Sequence, residues 1–236
     1  MICLAIDVSG RAMSAALAEA SPAGPRCKGQ SCLDTGKNHS LALLPMVDSL
    51  LENCELALAD MDGFAVTVGP GSFTGLRIGL ATVKAWCDAL DRPAIAVGST
   101  DAMARAIDRS GLVCPVFDAR RSEVYAALFR DGERLTPDLA VSPEELCRKL
   151  DAYDGPIAFG GDGLDPWEEV FRTHLGDRFR AIAPERRLNM ASAAALIGLE
   201  KLEKGDTVDA SSLVPVYLRL SEAEEKLQQK QAQAAE

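Results

Sequence analysis

Met1-Ile2-Cys3-Leu4-Ala5-Ile6-Asp7-Val8-Ser9-Gly10-Arg11 opens the chain as an apolar run that ends in an aspartate and a turn carrying arginine. Leu112 to Phe117 followed by Asp118-Ala119-Arg120-Arg121 repeats that pattern near the middle. The segments after the two runs are also alike. After Asp7 come a small-residue strand over Ala12–Ala18 and a third strand over Arg26–Asp34. Leu41, Leu44, Val47, Leu50, Leu51 and Cys54 then recur at three- and four-residue spacing, which predicts a helix over 39–54 behind the caps Asn38 and Ser40. A strand over Gly63–Val68, a helix over Leu76–Leu90, a strand over Ala94–Val97 and a helix from Ser99 to about Arg109 complete the half. After Asp118, strands are predicted over Glu123–Phe129 and, interrupted by Pro137, over Leu135–Val141, with a hairpin turn at Asp131-Gly132. Ser142-Pro143-Glu144-Glu145 starts a helix with a cap and a proline at its first position. A strand over Ile157–Phe159, a helix over Pro166–Leu175, a strand over Phe179–Ile182 and a helix over Asn189–Lys204 complete the second half.

Three meandering strands followed by helix–strand alternation imply a mixed sheet with helices on its faces. Two such units in tandem predict an α/β fold of two actin-like (ribonuclease H-like) lobes. The expected division is 1–110, 111–205 and a C-terminal segment 206–236 that packs back on the first lobe and ends in a flexible Glu-, Lys-, Gln- and Ala-rich tail from Ser221. The competing explanation is a chance echo of strand and helix order.

Composition narrows the class. The chain has 236 residues, of which 47% are apolar and 25% charged, and its net charge is −10, from 25 basic and 35 acidic side chains. That excludes disorder of the whole chain. It also excludes phosphate binding by the surface as a whole, which needs clustered Lys and Arg. No apolar run reaches the length of a membrane span. Met1–Asp7 lacks a basic n-region and reaches an aspartate too soon for a signal peptide. Seven cysteines, an odd number without framework spacing, fit reduced thiols and a cytoplasmic location.

Gly69-Pro70-Gly71-Ser72-Phe73-Thr74-Gly75-Leu76-Arg77-Ile78-Gly79 joins a buried strand to a helix. Free N–H groups at the start of a helix, reached by a glycine loop, can hold a phosphate, with Gly69, Gly71, Ser72, Thr74, Gly75 and Arg77 as contacts. The loop is not a Walker motif, a dinucleotide fingerprint or a nucleophile elbow. The structural alternative is a tight turn whose glycines let the helix pack closely.

This stretch closely resembles the signature of the bacterial TsaB (YeaZ) family of tRNA threonylcarbamoyladenosine biosynthesis proteins. Ile6-Asp7 with Ser9, Asn38-His39-Ser40 with Leu44-Pro45, Asp118-Ala119-Arg120 with Glu123-Val124-Tyr125, and Pro215-Val216-Tyr217-Leu218-Arg219 match in the same order. The family often has Glu after the Ser of the helix motif; this chain has Leu41 there. The resemblance implies a scaffold subunit with no catalytic residue and no metal. It would bind and activate the larger TsaD, which transfers a threonylcarbamoyl group to the adenosine beside the anticodon of ANN-decoding tRNAs. The ATPase TsaE is the other implied partner. tRNA would be met only within the complex, no membrane is involved, and the isolated chain could self-pair. No cofactor of its own is implied; ATP or ADP would belong to the complex interface.

The resemblance places the partner interface on the two first-lobe helices, at His39, Leu41, Leu43, Leu44, Val47, Leu51, Ile78, Ala81 and Ala85. The residues support this, because the first helix is apolar on more than one face and the second carries small residues. TsaD has a His-x-x-x-His metal motif where this chain has Ser99 and Met103, neither a ligand for a hard divalent metal. His39 reads as a cap or interface residue rather than a base. Asp7 and Asp118 are the cleft carboxylates. In an independent actin-like ATPase or kinase, the alternative function, they would handle a metal or water. Otherwise Asp7 ends its strand and Asp118 pairs with its arginine neighbours. Gly160-Gly161-Asp162-Gly163 reads as a turn in preference to an adenosine-side loop.

Overall fold

The computed structural model describes residues 1–35, 38–107, 110–188 and 190–219. The first half contains β1 (Ile2–Asp7), β2 (Met13–Glu19), β3 (Arg26–Leu33), α1 (His39–Asn53), β4 (Gly63–Gly69), α2 (Phe73–Leu90), β5 (Ala94–Gly98) and α3 (Ser99–Ile107). The second contains β6 (Leu112–Arg120), β7 (Glu123–Ala126), β8 (Phe129–Arg130), β9 (Glu133–Arg134), β10 (Leu139–Val141), α4 (Pro143–Leu150), β11 (Ile157–Gly160), α5 (Leu164–Leu175), β12 (Phe179–Ala181) and α6 (Ala191–Glu203).

The echo in the sequence is a repeat of topology. The first sheet runs β3-β2-β1-β4-β5 and the second β10-β7-β6-β11-β12, so each strand of the first has a counterpart at the same position; the second adds β8, paired with β6, and β9, paired with β8, which have none. β1 pairs antiparallel with β2 and parallel with β4, as β6 does with β7 and β11. The predicted strand over Glu123–Phe129 is broken: Ala127 and Leu128 separate β7 from β8, which pairs with a different stretch of β6. The predicted strand over Leu135–Val141 keeps only Leu139–Val141, beyond Pro137, because proline has no N–H for the ladder. Asp131 and Gly132, both with positive φ, close the β8–β9 hairpin as read from sequence. The helix expected from Leu76 starts three residues earlier, where Ser72 accepts the Gly75 N–H as its cap. The helix expected from Pro166 starts at Leu164. The ends predicted at Arg109 and Asn189, and the tail from Ser221, lie outside the described residues.

The elements stack as five layers. Leu4 and Ile6 of β1 point into a core with Leu43, Val47 and Leu51 of α1 and Leu76, Leu80 and Val83 of α2. The alternate residues Cys3 and Ala5 meet α6 on the other face. β1 is covered on both faces, so it reads as a continuous apolar run and not as an alternation. Small residues set the α6 approach: a Cβ on Gly198 would lie 2.8 Å from the Ala65 Cβ and 2.9 Å from the Cys3 sulfur. α6, which falls in the 111–205 stretch, therefore lies on the first sheet, whereas α3 of the first half sits between the sheets, against β4 and β5 of the first and β6 and β11 of the second. α4 and α5 cover the outer face of the second sheet around Phe159 and Phe171. Past α6 the chain returns to the first lobe. Val208 and Ala94 exchange backbone bonds of 2.9 and 3.0 Å, Leu213 enters the first core, and the Val216 N–H donates to the Val68 carbonyl at 2.7 Å.

Candidate functional site

A cleft of about 900 Å³ opens between the lobes. Its walls are the β1–β2 turn, the start of α2, the β6–β7 turn, the start of α5 and the segment Val216–Arg219.

The structure separates the two carboxylates named from sequence. Asp118 lines the cleft, accepts the Arg120 N–H at 2.8 Å and lies 3.3 Å from the Arg120 guanidinium. Asp7 lies beneath the floor. It is 1% exposed, and its Oδ1 accepts the Ser9 N–H at 3.1 Å and the Ser9 and Thr67 hydroxyls, each at 2.6 Å. Burial pushes its carboxyl above the usual value, against those hydrogen bonds. The void it borders, with Gly10, Arg11, Asp162 and Arg187, measures only about 10 Å³, at the limit for a single water.

Asp162 is the carboxylate that sequence reading missed as a site residue. It follows the glycines at the end of β11, the place that Gly71 holds after β4. It accepts the Arg11 N–H at 3.2 Å from the first lobe and the Asp118 N–H at 3.1 Å from the second. Burial raises its carboxyl too. Its sequence signals were its topological position and the glycines around it, Gly160-Gly161-Asp162-Gly163, which read as a turn. Beside it, Arg120, Arg121 and Ser122 all have φ between 52° and 63°, three successive left-handed residues without a glycine, at about 1–2 kcal/mol each.

The glycine loop is held by backbone. The Ser72 N–H donates to the Ser9 carbonyl at 2.6 Å. A Cβ on Gly71 or Gly75 would overlap the carbonyl oxygens of Ser9 or Val8, and one on Gly69, at φ +121°, would overlap that of Val216. Close packing accounts for all three glycines. Thr74 is exposed at the cleft edge. Arg77 is engaged: its guanidinium lies 3.9 Å above the Phe73 ring, and its Nε donates to the Tyr217 hydroxyl at 3.1 Å. Phe73 and Tyr217 stack with centroids 4.4 Å apart.

The interface residues named from sequence divide into two sets. Leu43, Val47 and Leu51 are buried in the chain's own core, and this removes them from the expected contact surface. The phase of the helix turns those three inward. Leu41 at 76% and Leu44 at 48% exposure point outward, as do Ala81 and Ala85, with Ile78 half-buried. His39 lies at the start of α1, 3.1 Å from the Arg11 carbonyl; a carbonyl only accepts, so the ring carries its proton on Nε2. Ser99 and Met103 are fully buried, and the Ser99 hydroxyl has no partner among the described residues. Among the described residues no group of three His, Cys, Asp or Glu side chains is placed to hold a metal. Among the described residues no helix is long and apolar enough to cross a membrane.

Comparison with known proteins places this geometry. A family model described as "TsaD: tRNA N6-adenosine threonylcarbamoyltransferase" matches residues 32–154. The tRNA threonylcarbamoyladenosine biosynthesis protein TsaB of Bacillus subtilis is 36% identical over 197 residues, covering 80% of this chain and 83% of that protein. The structure of YeaZ from Pseudomonas aeruginosa superposes with a TM-score of 0.73 at 29% identity, over 92% of this chain and 99% of that one. An activator of 2-hydroxyisocaproyl-CoA dehydratase from Clostridium difficile, solved with bound ADPNP, shares the fold at 10% identity. Its TM-score is 0.55, over 87% of this chain and 97% of that one. The fold is the actin-like, ribonuclease H-like one.

Proposed function

The chain belongs to the TsaB (YeaZ) family of tRNA threonylcarbamoyladenosine biosynthesis proteins, and from that premise we propose that it is the non-catalytic scaffold subunit that docks on and activates TsaD. The observation that carries this reading is the outer face of α1 and α2. Leu41 and Leu44 stand out of a helix whose opposite face fills the core, and Ala81 and Ala85 are exposed on α2. Leu41 and Leu44, three residues apart, put two exposed leucines on one face of α1, and small residues such as Ala81 and Ala85 let another helix approach α2 closely.

In this reading TsaD transfers the threonylcarbamoyl group, TsaE joins the assembly in the cytoplasm, and tRNA is met only within the complex. Any ATP or ADP belongs to the complex interface. The same face pairs two copies of the chain when TsaD is absent. The burial of Asp7 under Ser9 and Thr67 weighs against an independent ATPase or kinase, which would need that carboxylate at a metal or water.

The test is reconstitution: TsaD, TsaE, a TsaC-type enzyme, unmodified tRNA, ATP, bicarbonate and threonine, with and without this chain. Modification should require the chain, survive Asp7→Ala and fall with Leu44→Asp. Loss on Asp7→Ala with complex formation intact would return the enzyme reading.

A further inference from the structure

Two sets of bonds span the front of the cleft, and each is anchored at the first turn of an outer helix. The first begins at His39, the first residue of α1, which donates to the Arg11 carbonyl at 3.1 Å. The Arg11 N–H then donates to Asp162 at 3.2 Å, and Asp162 also takes the Asp118 N–H at 3.1 Å. The Arg11 guanidinium adds a fork, with Nε to Asp34 at the end of β3 at 3.0 Å and Nη1 to Asp165 of α5 at 2.8 Å. One residue thus ties α1, the first sheet and the second lobe.

The second set begins at Phe73 and Arg77 in the opening turns of α2, which hold Tyr217 by stacking and by a hydrogen bond. Two residues on, Arg219 donates to the Ala119 carbonyl at 3.2 Å and pairs with Glu123 at 2.7 Å, both in the second lobe. Leu41 lies two residues from His39, and Ile78 is next to Arg77. The exposed apolar face is therefore carried by the turns that anchor both straps.

We propose that these two straps couple the outer helices to the cleft, so that what holds the first turns of α1 and α2 also holds the lobes together, with Arg11 and Asp162 as positioning residues. The charged links are partly exposed, the kind that adds little stability singly. The straps are thus weak enough to be shifted by binding at the outer face and numerous enough to register it. The inference rests on the outer face being a docking surface only for its response to TsaD; the coupling inside the chain stands apart from that reading.

The test is amide hydrogen exchange on the full chain, read at Asp118, which lies across the cleft from α1. His39→Ala, with no partner present, should speed exchange there about fivefold, the low end of ordinary coupling between sites. Asp162→Asn, which keeps one carbonyl acceptor, should also speed it, and by less than Asp162→Ala. Adding TsaD should slow exchange at the same amide. An unchanged Asp118 amide in His39→Ala overturns the proposal, and so does TsaD that binds without altering exchange there. If TsaD does not bind while His39→Ala still speeds exchange, the scaffold reading falls and the coupling stands.

Discussion

Gly75→Ala decides between the two readings of the glycine loop. Gly75 is the third residue of α2, and alanine there is intrinsically better for the helix by about 1 kcal/mol. The surroundings oppose it. The added Cβ would overlap the Val8 carbonyl oxygen and lie 3.1 Å from its carbon, where ordinary contact begins at 3.4 Å. Val8 is fully buried, so the β1–β2 turn cannot yield outward. The start of α2 must then retreat by roughly 1 Å, which forfeits about a quarter to half of each contact it makes. For Leu76 and Leu80, both in the core, that loss amounts to about 2–3 kcal/mol, with about 1 kcal/mol more from the Ser72–Ser9 backbone bond. After the helix gain, the net destabilisation is about 2–3 kcal/mol. In a chain of this size that lowers Tm by about 4–12 °C. Urea unfolding followed by far-ultraviolet circular dichroism, with an unchanged m-value, measures it. A variant within about 0.5 kcal/mol of the parent would refute close packing as the reason for the glycine and restore a ligand contact as its explanation.

Three further outcomes rest on burial and bonding. The raised carboxyl of Asp7 stabilises the fold fully below its ordinary value of 3.8, and that contribution is lost as pH rises through the raised folded value. Asp7→Asn, which removes the buried charge, should therefore gain on the parent chain in urea unfolding as pH rises from 4 to 8; a pH-independent difference would show that folding does not raise the Asp7 carboxyl above its unfolded value. Leu43→Ala should cost about 2–4 kcal/mol, and Leu41→Ala under about 0.5 kcal/mol while weakening TsaD binding; equal stability losses would contradict the inward and outward division of α1. Tyr217→Ala should cost about 1–2 kcal/mol, and a double-mutant cycle with Phe73→Ala should return a coupling of about 0.5–1.5 kcal/mol; additivity would mean the stack is only contact.

What could be read in advance was what side chains encode locally. Asn38 and Ser142 each cap a helix with their own oxygen, as serine and asparagine do anywhere, whereas Ser40 falls inside α1 and the Ser72 cap lay ahead of a helix start read at Leu76. The two apolar runs ending at Asp7 and Asp118 marked the central strands because a strand covered on both faces has no polar side to show. The placing of α6 on the first sheet, with α3 between the two sheets, was not legible. The buried face of α6 is Ala191, Ala194, Ala195 and Gly198, and small residues tell how close a helix comes but not to which sheet. The interface was over-read for a related reason: the spacing of leucines over 41–51 shows two apolar faces, and only the packed helix fixes which of them is spent on the core. Asp162 was hidden more deeply. Its partners are the backbone N–H groups of Arg11 and Asp118, which almost any residue would supply at those positions. A carboxylate that joins two lobes through main-chain donors leaves no complementary side chain in the sequence. The route to it runs through topology: once β11 is matched to β4, the residue after each strand falls at the mouth of the same cleft.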